Sequence, residues 1–259
     1  MDLGVNIDHI AILREARRVD EPNILDALSI VKRAGADQIT IHLREDRRHI
    51  NDRDAKNIIE QSKLPVNLEC SMDIEILDIV LKLRPHRATI VPEKREEVTT
   101  EGGLNISQEF ESLKGIIELL QKREIEVSLF IDPTFDNIKI AKMLGVEWIE
   151  FHTGKYANIY AVLYENLNRS SYPIKELELS RNRLKSMLEK EIANLHKVSH
   201  DAVRMGIKVA CGHGLNYNNV KNIAKISAVQ ELNIGQSIVA RSVWVGLERA
   251  ILEMRELIR

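Results

Sequence analysis

The sequence predicts an α/β protein, a (β/α)8 TIM barrel with extra helices, and three observations carry the prediction. Short apolar segments of strand character alternate eight times with helical segments. Histidines, carboxylates and glycines gather where those strands end, which is the face on which such barrels build their sites. The length, 259 residues, is typical of a single barrel domain of about 250 residues, here taken as 1–259. An open doubly wound sheet is the alternative, because periodicity alone does not establish closure.

Strands are predicted at 3–6, from Gln38 through Leu43, and at 66–69, 87–91, 126–131, 146–151, 207–211 and 231–234. The second shows the pattern best: Ile39, Ile41 and Leu43 alternate with Gln38, Thr40 and His42 before the charged run 44–49. Helices are predicted at 22–34, 52–62, 74–83, 113–122, 135–143, 217–224 and 237–257. The first has Asp20 as a possible cap and Pro22 in its first turn. The third carries Ile74, Ile76, Leu77, Ile79, Val80 and Leu83 at i, i+3, i+4 spacing and stops before Pro85. The longest helical pattern, 173–205 after strand six, carries Leu177, Leu184, Leu188, Ile192, Leu195 and Val198 on one stripe and ends at Gly206. That stripe is read as a subunit interface, with extra core as the alternative. The charged loop 92–105, with Gly102 and Gly103, is long enough to be a functional lid.

Composition narrows the function. Lys+Arg 37 against Asp+Glu 39 leaves a net charge of -2, so no basic excess points to nucleic acid or an anionic membrane. No apolar run reaches the roughly 18 residues of a membrane span. No basic segment followed by an apolar one opens the chain, and Cys70 and Cys211 are too few for a disulfide framework. A cytosolic, reduced protein is expected.

Collected at the strand ends are Asn6, Asp8 and His9; His42, Arg44 and His49; Glu69; 93–100; Asp132; Glu150 and His152; His213; and Gly235-Gln236. Five of the eight histidines lie there. Imidazoles titrate close to neutral pH, so they suit acid–base chemistry. A core role is preferred for His152, and buried packing for both cysteines. Gly212-His213-Gly214 and Gly235-Gln236-Ser237 follow the last two strands, the usual place for phosphate held by backbone N–H groups and a helix N-terminus. Arg17, Arg44 and His49 offer a second anion contact, Arg through its planar fork. No metal motif is present: there is neither H-x-H nor H-E-x-x-H, and adjacent Asp8 and His9 on an extended strand point to opposite faces. No lysine sits at a strand end for Schiff-base chemistry.

Seven segments, GVNIDH at 4–9, HLREDRRH at 42–49, NLE at 67–69, VPEKREEVTTEGG at 91–103, HTG at 152–154, GHGL at 212–215 and ELNIG at 231–235, resemble the PdxJ family of pyridoxine 5′-phosphate synthases, in order and over nearly the whole chain. The resemblance implies a (β/α)8 barrel with extra helices, a homo-octamer built from dimers, small phosphorylated substrates, and no metal or organic cofactor. It implies condensation of 3-amino-2-oxopropyl phosphate with 1-deoxy-D-xylulose 5-phosphate to pyridoxine 5′-phosphate, phosphate and water. It assigns His42 and Glu69 as proton acceptors, His213 as proton donor and Glu150 as a transition-state stabiliser. Asn6, Arg17, Gly214, Gly235 and Gln236 match contacts to the amino-ketone phosphate; Asp8, His9, Arg44, His49 and Thr99 match contacts to the deoxyxylulose phosphate. Gln236 stands where many relatives have His, and 160–190 is expanded relative to shorter ones. Two other readings remain on the residues alone: an isomerase or aldolase acting on one sugar phosphate, which needs a single anion site, and a non-catalytic sensor, which needs no cluster of acid–base groups.

Overall fold

The computed structural model describes residues 1–93 and 102–259. Eight parallel strands close into a barrel, each hydrogen-bonded to its neighbours in sequence and the last to the first. They are β1 Asp2–Asn6, β2 Gln38–Leu43, β3 Val66–Cys70, β4 Arg87–Ile90, β5 Glu126–Ile131, β6 Trp148–His152, β7 Lys208–Gly212 and β8 Glu231–Ile234. Around them, among the described residues, run eleven α-helices: α1 Asp8–Glu15, α2 Asp26–Arg33, α3 Asp52–Gln61, α4 Ile74–Leu83, α5 Phe110–Gln121, α6 Phe135–Leu144, α7 Gly154–Tyr164, α8 Arg181–Arg204, α9 Val220–Ala224, α10 Gln236–Val245 and α11 Leu247–Ile258. The barrel is therefore closed, and the open sheet is excluded.

The register sets the two sides of the wall. Ile39, Ile41 and Leu43 are fully buried beneath the helices, as are Leu3, Val5, Leu68, Ile90, Leu129, Ile149 and Leu232. Each such side chain contributes about 1.5–3 kcal/mol on burial, so the main apolar core lies between sheet and helices. The opposite parity is polar. Arg87 on β4 donates from Nη1 to Glu231 Oε1 on β8 at 2.8 Å, a bond between non-neighbouring strands that has to cross the barrel. Gln38 Nε2 reaches the same oxygen at 3.2 Å, and the Arg87 guanidinium stacks 3.8 Å from the Trp148 ring. Barrels of this kind usually fill this space with branched apolar residues; here paired polar groups do so. Gly4 and Gly212 leave room for them, since a Cβ at the first would run into the Asn233 amide oxygen and one at the second into a Glu150 carboxylate oxygen.

Side-chain caps open four of the helices. Asn51 and Asp54 form a reciprocal capping box at α3. Asp73 caps α4, Thr134 caps α6 and Ser180 caps α8. Three expected helices differ. The one expected at 22–34 begins only at Asp26, with neither Asp20 nor Pro22 part of it. The one expected at 173–205 begins at Arg181, behind the Ser180 cap. The one expected at 237–257 is two helices, because Gly246 at φ 81 breaks it. Two helices, α1 and α7, had no expected counterpart. The stripe on α8 is core: Leu184, Leu188, Leu195 and Val198 are buried, and α8 packs on α6, α7 and β7.

Candidate active site

The strand ends open into one cavity of about 510 Å³. It is lined by Asn6, Asp8 and His9; by His42, Arg44 and His49; and by Glu69, Glu150, His213, Gly214, Gly235 and Gln236. These residues come from β1, β2, β3, β6, β7, β8 and the loops that follow them, so closure of the barrel brings together groups far apart in sequence. Two expected site residues stand apart. Arg17 lies exposed in the turn after α1 and does not line the cavity. Thr99 and most of the expected loop at 92–105 lie outside the described residues.

Asp8 and His9 do not continue an extended strand. The chain turns at Ile7, and both open α1. Asn6 makes the turn, its Oδ1 accepting the Asp8 N–H at 3.0 Å while its Nδ2 donates to Asp8 Oδ2 at 2.9 Å. Asp8 Oδ1 accepts the backbone N–H of His42 at 3.0 Å. Residues read as ligand contacts thus also fix the end of β2.

His42 projects beside Glu69 on the adjacent strand, with Nδ1 3.9 Å from Oε2. Its pKa is pushed down to about 3, first by burial, then by any positive charge on His49 and by the Arg44 guanidinium. The expectation that this imidazole titrates near neutral pH does not hold: buried here, it is a neutral ring with a lone pair available. The His49 ring stands 6.1 Å from it, centroid to centroid. His49 Nδ1 accepts the Ile50 N–H at 2.9 Å, so the ring's own proton is carried on Nε2. Arg44 is buried, with Nε 3.2 Å from Asp46 Oδ1 and 3.4 Å from Glu93 Oε1. Behind this loop, buried Arg14 grips Asp54 through two bonds of 2.9 and 2.7 Å and donates to the His49 carbonyl at 2.9 Å.

On the opposite wall, Glu150 is buried and accepts a bond from Asn233 Nδ2 at 2.7 Å. Burial pushes its pKa up to about 8; the Asn233 bond and Arg87 oppose the rise, while Glu231 adds to it. Glu150 is therefore largely protonated at neutral pH and can donate. Next to it, His213 occupies a left-handed backbone position, φ 77, an uncommon conformation that ties the ring to a tight turn. The turn is braced by Thr153, whose hydroxyl lies 2.6 and 2.7 Å from the Gly212 and His213 carbonyls. Gly214 follows at φ 78 and Gly235 precedes α10, whose first N–H groups have no helical acceptor. A Cβ at Gly235 would meet the Asn6 side chain at 2.8 Å.

Several residues at this site escaped sequence reasoning. Asn233 accepts from Thr40 and bridges to Glu150; its inward parity on β8 was the available signal. Arg14 gave none, being one charge in a segment read as loop. His152 was read as a core residue, yet it lines the cavity with Phe130.

Among the described residues, no group of three or more His, Cys, Asp or Glu side chains is placed to hold a metal. Both cysteines are buried and unpaired, and burial pushes the Cys70 thiol up to about 12.

Comparison with solved structures shows the fold. The chain matches KGPDC from Streptococcus mutans with a TM-score of 0.60 at 12% identity, covering 99% of this chain and 96% of that one. It matches thiamine phosphate pyrophosphorylase from Pyrococcus furiosus with a TM-score of 0.58 at 11% identity, covering 99% and 95%. Sequence relatives are far nearer. The chain is 64% identical over 258 residues to the pyridoxine 5′-phosphate synthase of Sulfurovum sp. (strain NBC37-1), covering 100% of both. It is 63% identical over 259 residues to that of Aliarcobacter butzleri (strain RM4018), covering 100% of this chain and 99% of the relative. Residues 3–259 match the family model described as pyridoxal phosphate biosynthesis protein PdxJ, and with the strand-end cavity and these relatives in view, the chain belongs to the PdxJ family.

Proposed function

We propose that this chain is a pyridoxine 5′-phosphate synthase, joining 3-amino-2-oxopropyl phosphate to 1-deoxy-D-xylulose 5-phosphate by general acid–base catalysis, with release of phosphate and water. The observation that carries the reading is one cavity lined by His42, Glu69, Glu150 and His213, with anion-binding groups on two sides. Gly214, Gly235 and Gln236 with the N-terminus of α10 form the end for the amino-ketone phosphate, alongside Asn6. Gln236 can donate an amide N–H there without a titrating charge. Arg44, His49, His9 and Asp8 form the end for the sugar phosphate. In the bound state Arg17 is proposed to join the amino-ketone phosphate contacts and Thr99 the sugar-phosphate contacts.

Each acid–base group has a task suited to its state. The amine of one substrate attacks the ketone of the other, and the carbon–nitrogen bond forms as a nitrogen-bound proton leaves. His42, neutral before binding, is the acceptor for such a proton. A dianionic phosphate beside Arg44 and His49 offsets the cationic charge that depresses its basicity, so sugar-phosphate binding strengthens the base. Glu69 removes a proton from carbon as the ring closes. His213 supplies a proton to a departing oxygen, and protonated Glu150 hydrogen-bonds to oxygen as negative charge develops on it. Both phosphates act as handles that hold the reacting carbons together, which makes ring closure effectively intramolecular.

A homo-octamer built from dimers and a cytoplasmic location complete the proposal. Val243 and Trp244 on α10 are 64% and 83% exposed, which supports self-association. No helix among the described residues is long and apolar enough to cross a membrane. Incubation with both substrates tests the activity: a fluorescent pyridinol product, with one inorganic phosphate released per ring, is expected. Turnover of the sugar phosphate alone favours the isomerase or aldolase reading, and binding without turnover favours the sensor.

A further inference from the structure

The corner of the cavity between β5, β6 and β7 contains a side-chain array that the proposed chemistry leaves unused. His152 ends β6 and Asp132 follows β5, with His152 Nδ1 3.4 Å from Asp132 Oδ1. The same carboxylate oxygen accepts the Gly103 N–H at 2.9 Å, and Asn137 Nδ2 donates to the Asp132 carbonyl at 3.0 Å. The acid is thus held at both its side chain and its backbone. On its other side, the His152 ring meets the His213 ring edge to face, with centroids 4.8 Å apart and planes at 65°. Phe130 packs against His152 at 5.2 Å and against His213 at 6.4 Å. Gly154 lies where the two imidazoles meet: a Cβ there would sit 2.5 Å from His152 Nε2 and 3.1 Å from His213 Cδ2.

His152 is only 8% exposed, and its Nε2 has no hydrogen-bond partner among the described residues. A purely structural histidine satisfies its nitrogens. This one engages a carboxylate through Nδ1 and presses its ring against His213. We propose that Asp132 and His152 are positioning residues for His213, fixing its ring in the cavity and, through the Asp132 charge, favouring its protonated form.

Among the described residues, the ionisable and charged groups around this corner are Asp132 after β5, Glu150 and His152 on β6, and Lys155 on α7, which pairs with Glu191 of α8 at 2.7 Å. Phe130 is apolar, and the adjoining residues 214–218 carry no charge. The His152 hydrogen bond, outweighing partial burial, keeps the Asp132 carboxyl below its ordinary range, so it is an anion at neutral pH. A fixed anion behind the His152 ring stabilises a proton on His213, the form a donor needs.

The inference rests on His213 being the proton donor, and the test separates the two. In the ligand-free protein, the His213 ring is titrated by NMR in wild type, Asp132→Asn and His152→Phe; kcat, KM and the pH profile are measured for the same proteins and for Asp132→Glu. Phe keeps the ring packing and removes Nδ1. In Asp132→Asn we expect the His213 pKa to fall by about half a unit to one unit. The acidic form should be lost from the kcat profile at correspondingly lower pH, with kcat down about 5- to 30-fold and both KM values within about two-fold. Asp132→Glu should recover most of the titration shift. An unmoved His213 titration in Asp132→Asn overturns the inference, as does a loss confined to KM. If His213→Gln turns over at the wild-type rate, the donor assignment fails instead, and the titration still decides whether Asp132 acts on His213.

Discussion

Glu150→Gln isolates the energetic consequence of placing a carboxyl against the interior of the barrel. The carboxyl titrates at about 8 in the folded chain against an ordinary 4.5. Its folded-state value is raised, so its contribution to stability is fully present below about pH 4.5 and is lost as pH rises through about 8. At 1.36 kcal/mol per unit, the complete loss is roughly 5 kcal/mol at most, and about 2–3 kcal/mol of it falls between pH 6 and pH 9. Gln keeps an oxygen to accept the Asn233 amide bond and cannot ionise. Guanidinium unfolding of both proteins at fixed protein concentration, from pH 6 to pH 9, measures the difference while other titrating groups cancel. The variant should gain on the wild type by about 2–3 kcal/mol across that range, and turn over more slowly because it has no proton to share. A stability difference that stays flat with pH would refute the reasoning that Glu150 is held protonated by burial.

Other variants address the rest of the cavity. His42→Ala and His213→Ala should each lower kcat by roughly 10²–10⁴-fold in steady-state assays while leaving the unfolding midpoint nearly unchanged; near-wild-type turnover in both rejects their roles. Arg44→Lys replaces a fork by a point charge and should raise KM for the sugar phosphate more than for the amino-ketone phosphate, which titration of each substrate in turn will show. Arg14→Met strands buried Asp54 and frees the His49 carbonyl, so it should destabilise the chain by about 3–5 kcal/mol and weaken sugar-phosphate binding, seen by unfolding and calorimetry.

Much of the fold was legible because alternation exposes strands directly. The strands at 126–131 and 231–234 match the structure residue for residue. Closure was not legible, since it depends on Asp2 to Val5 pairing with 231–234, a contact between opposite ends of the chain. The helix α1 was missed because its eight residues follow a strand without a break and mix Ile10, Ala11 and Ile12 with charge. That miss mattered: it placed Asp8 and His9 on an imagined strand, and hid the part Arg14 plays behind His49.

The site was legible as a set of residues but not as a set of states. Position at strand ends selected His42, Glu69, Glu150 and His213, and barrel geometry brings them round one cavity. Nothing in a linear pattern shows that His42 is driven neutral while Glu150 is kept protonated; both follow from burial and neighbours on other strands. Likewise, the polar interior of the barrel reads in sequence as ordinary alternation. The bonds from Arg87 and Gln38 to Glu231, and from Asn233 to Glu150, show that those polar residues satisfy one another.

The central claim is that two separate anion cradles flank a single acid–base cluster. A crystal structure of the protein soaked with inorganic phosphate tests it most directly. The account predicts two phosphates in the one cavity, one against the backbone N–H groups of Gly214, Gly235 and Gln236 and the other against Arg44 and His49, with His42, Glu69 and His213 between them. A single phosphate in the cavity at saturating concentration, or two lying on the same side of His42 and His213, would contradict it.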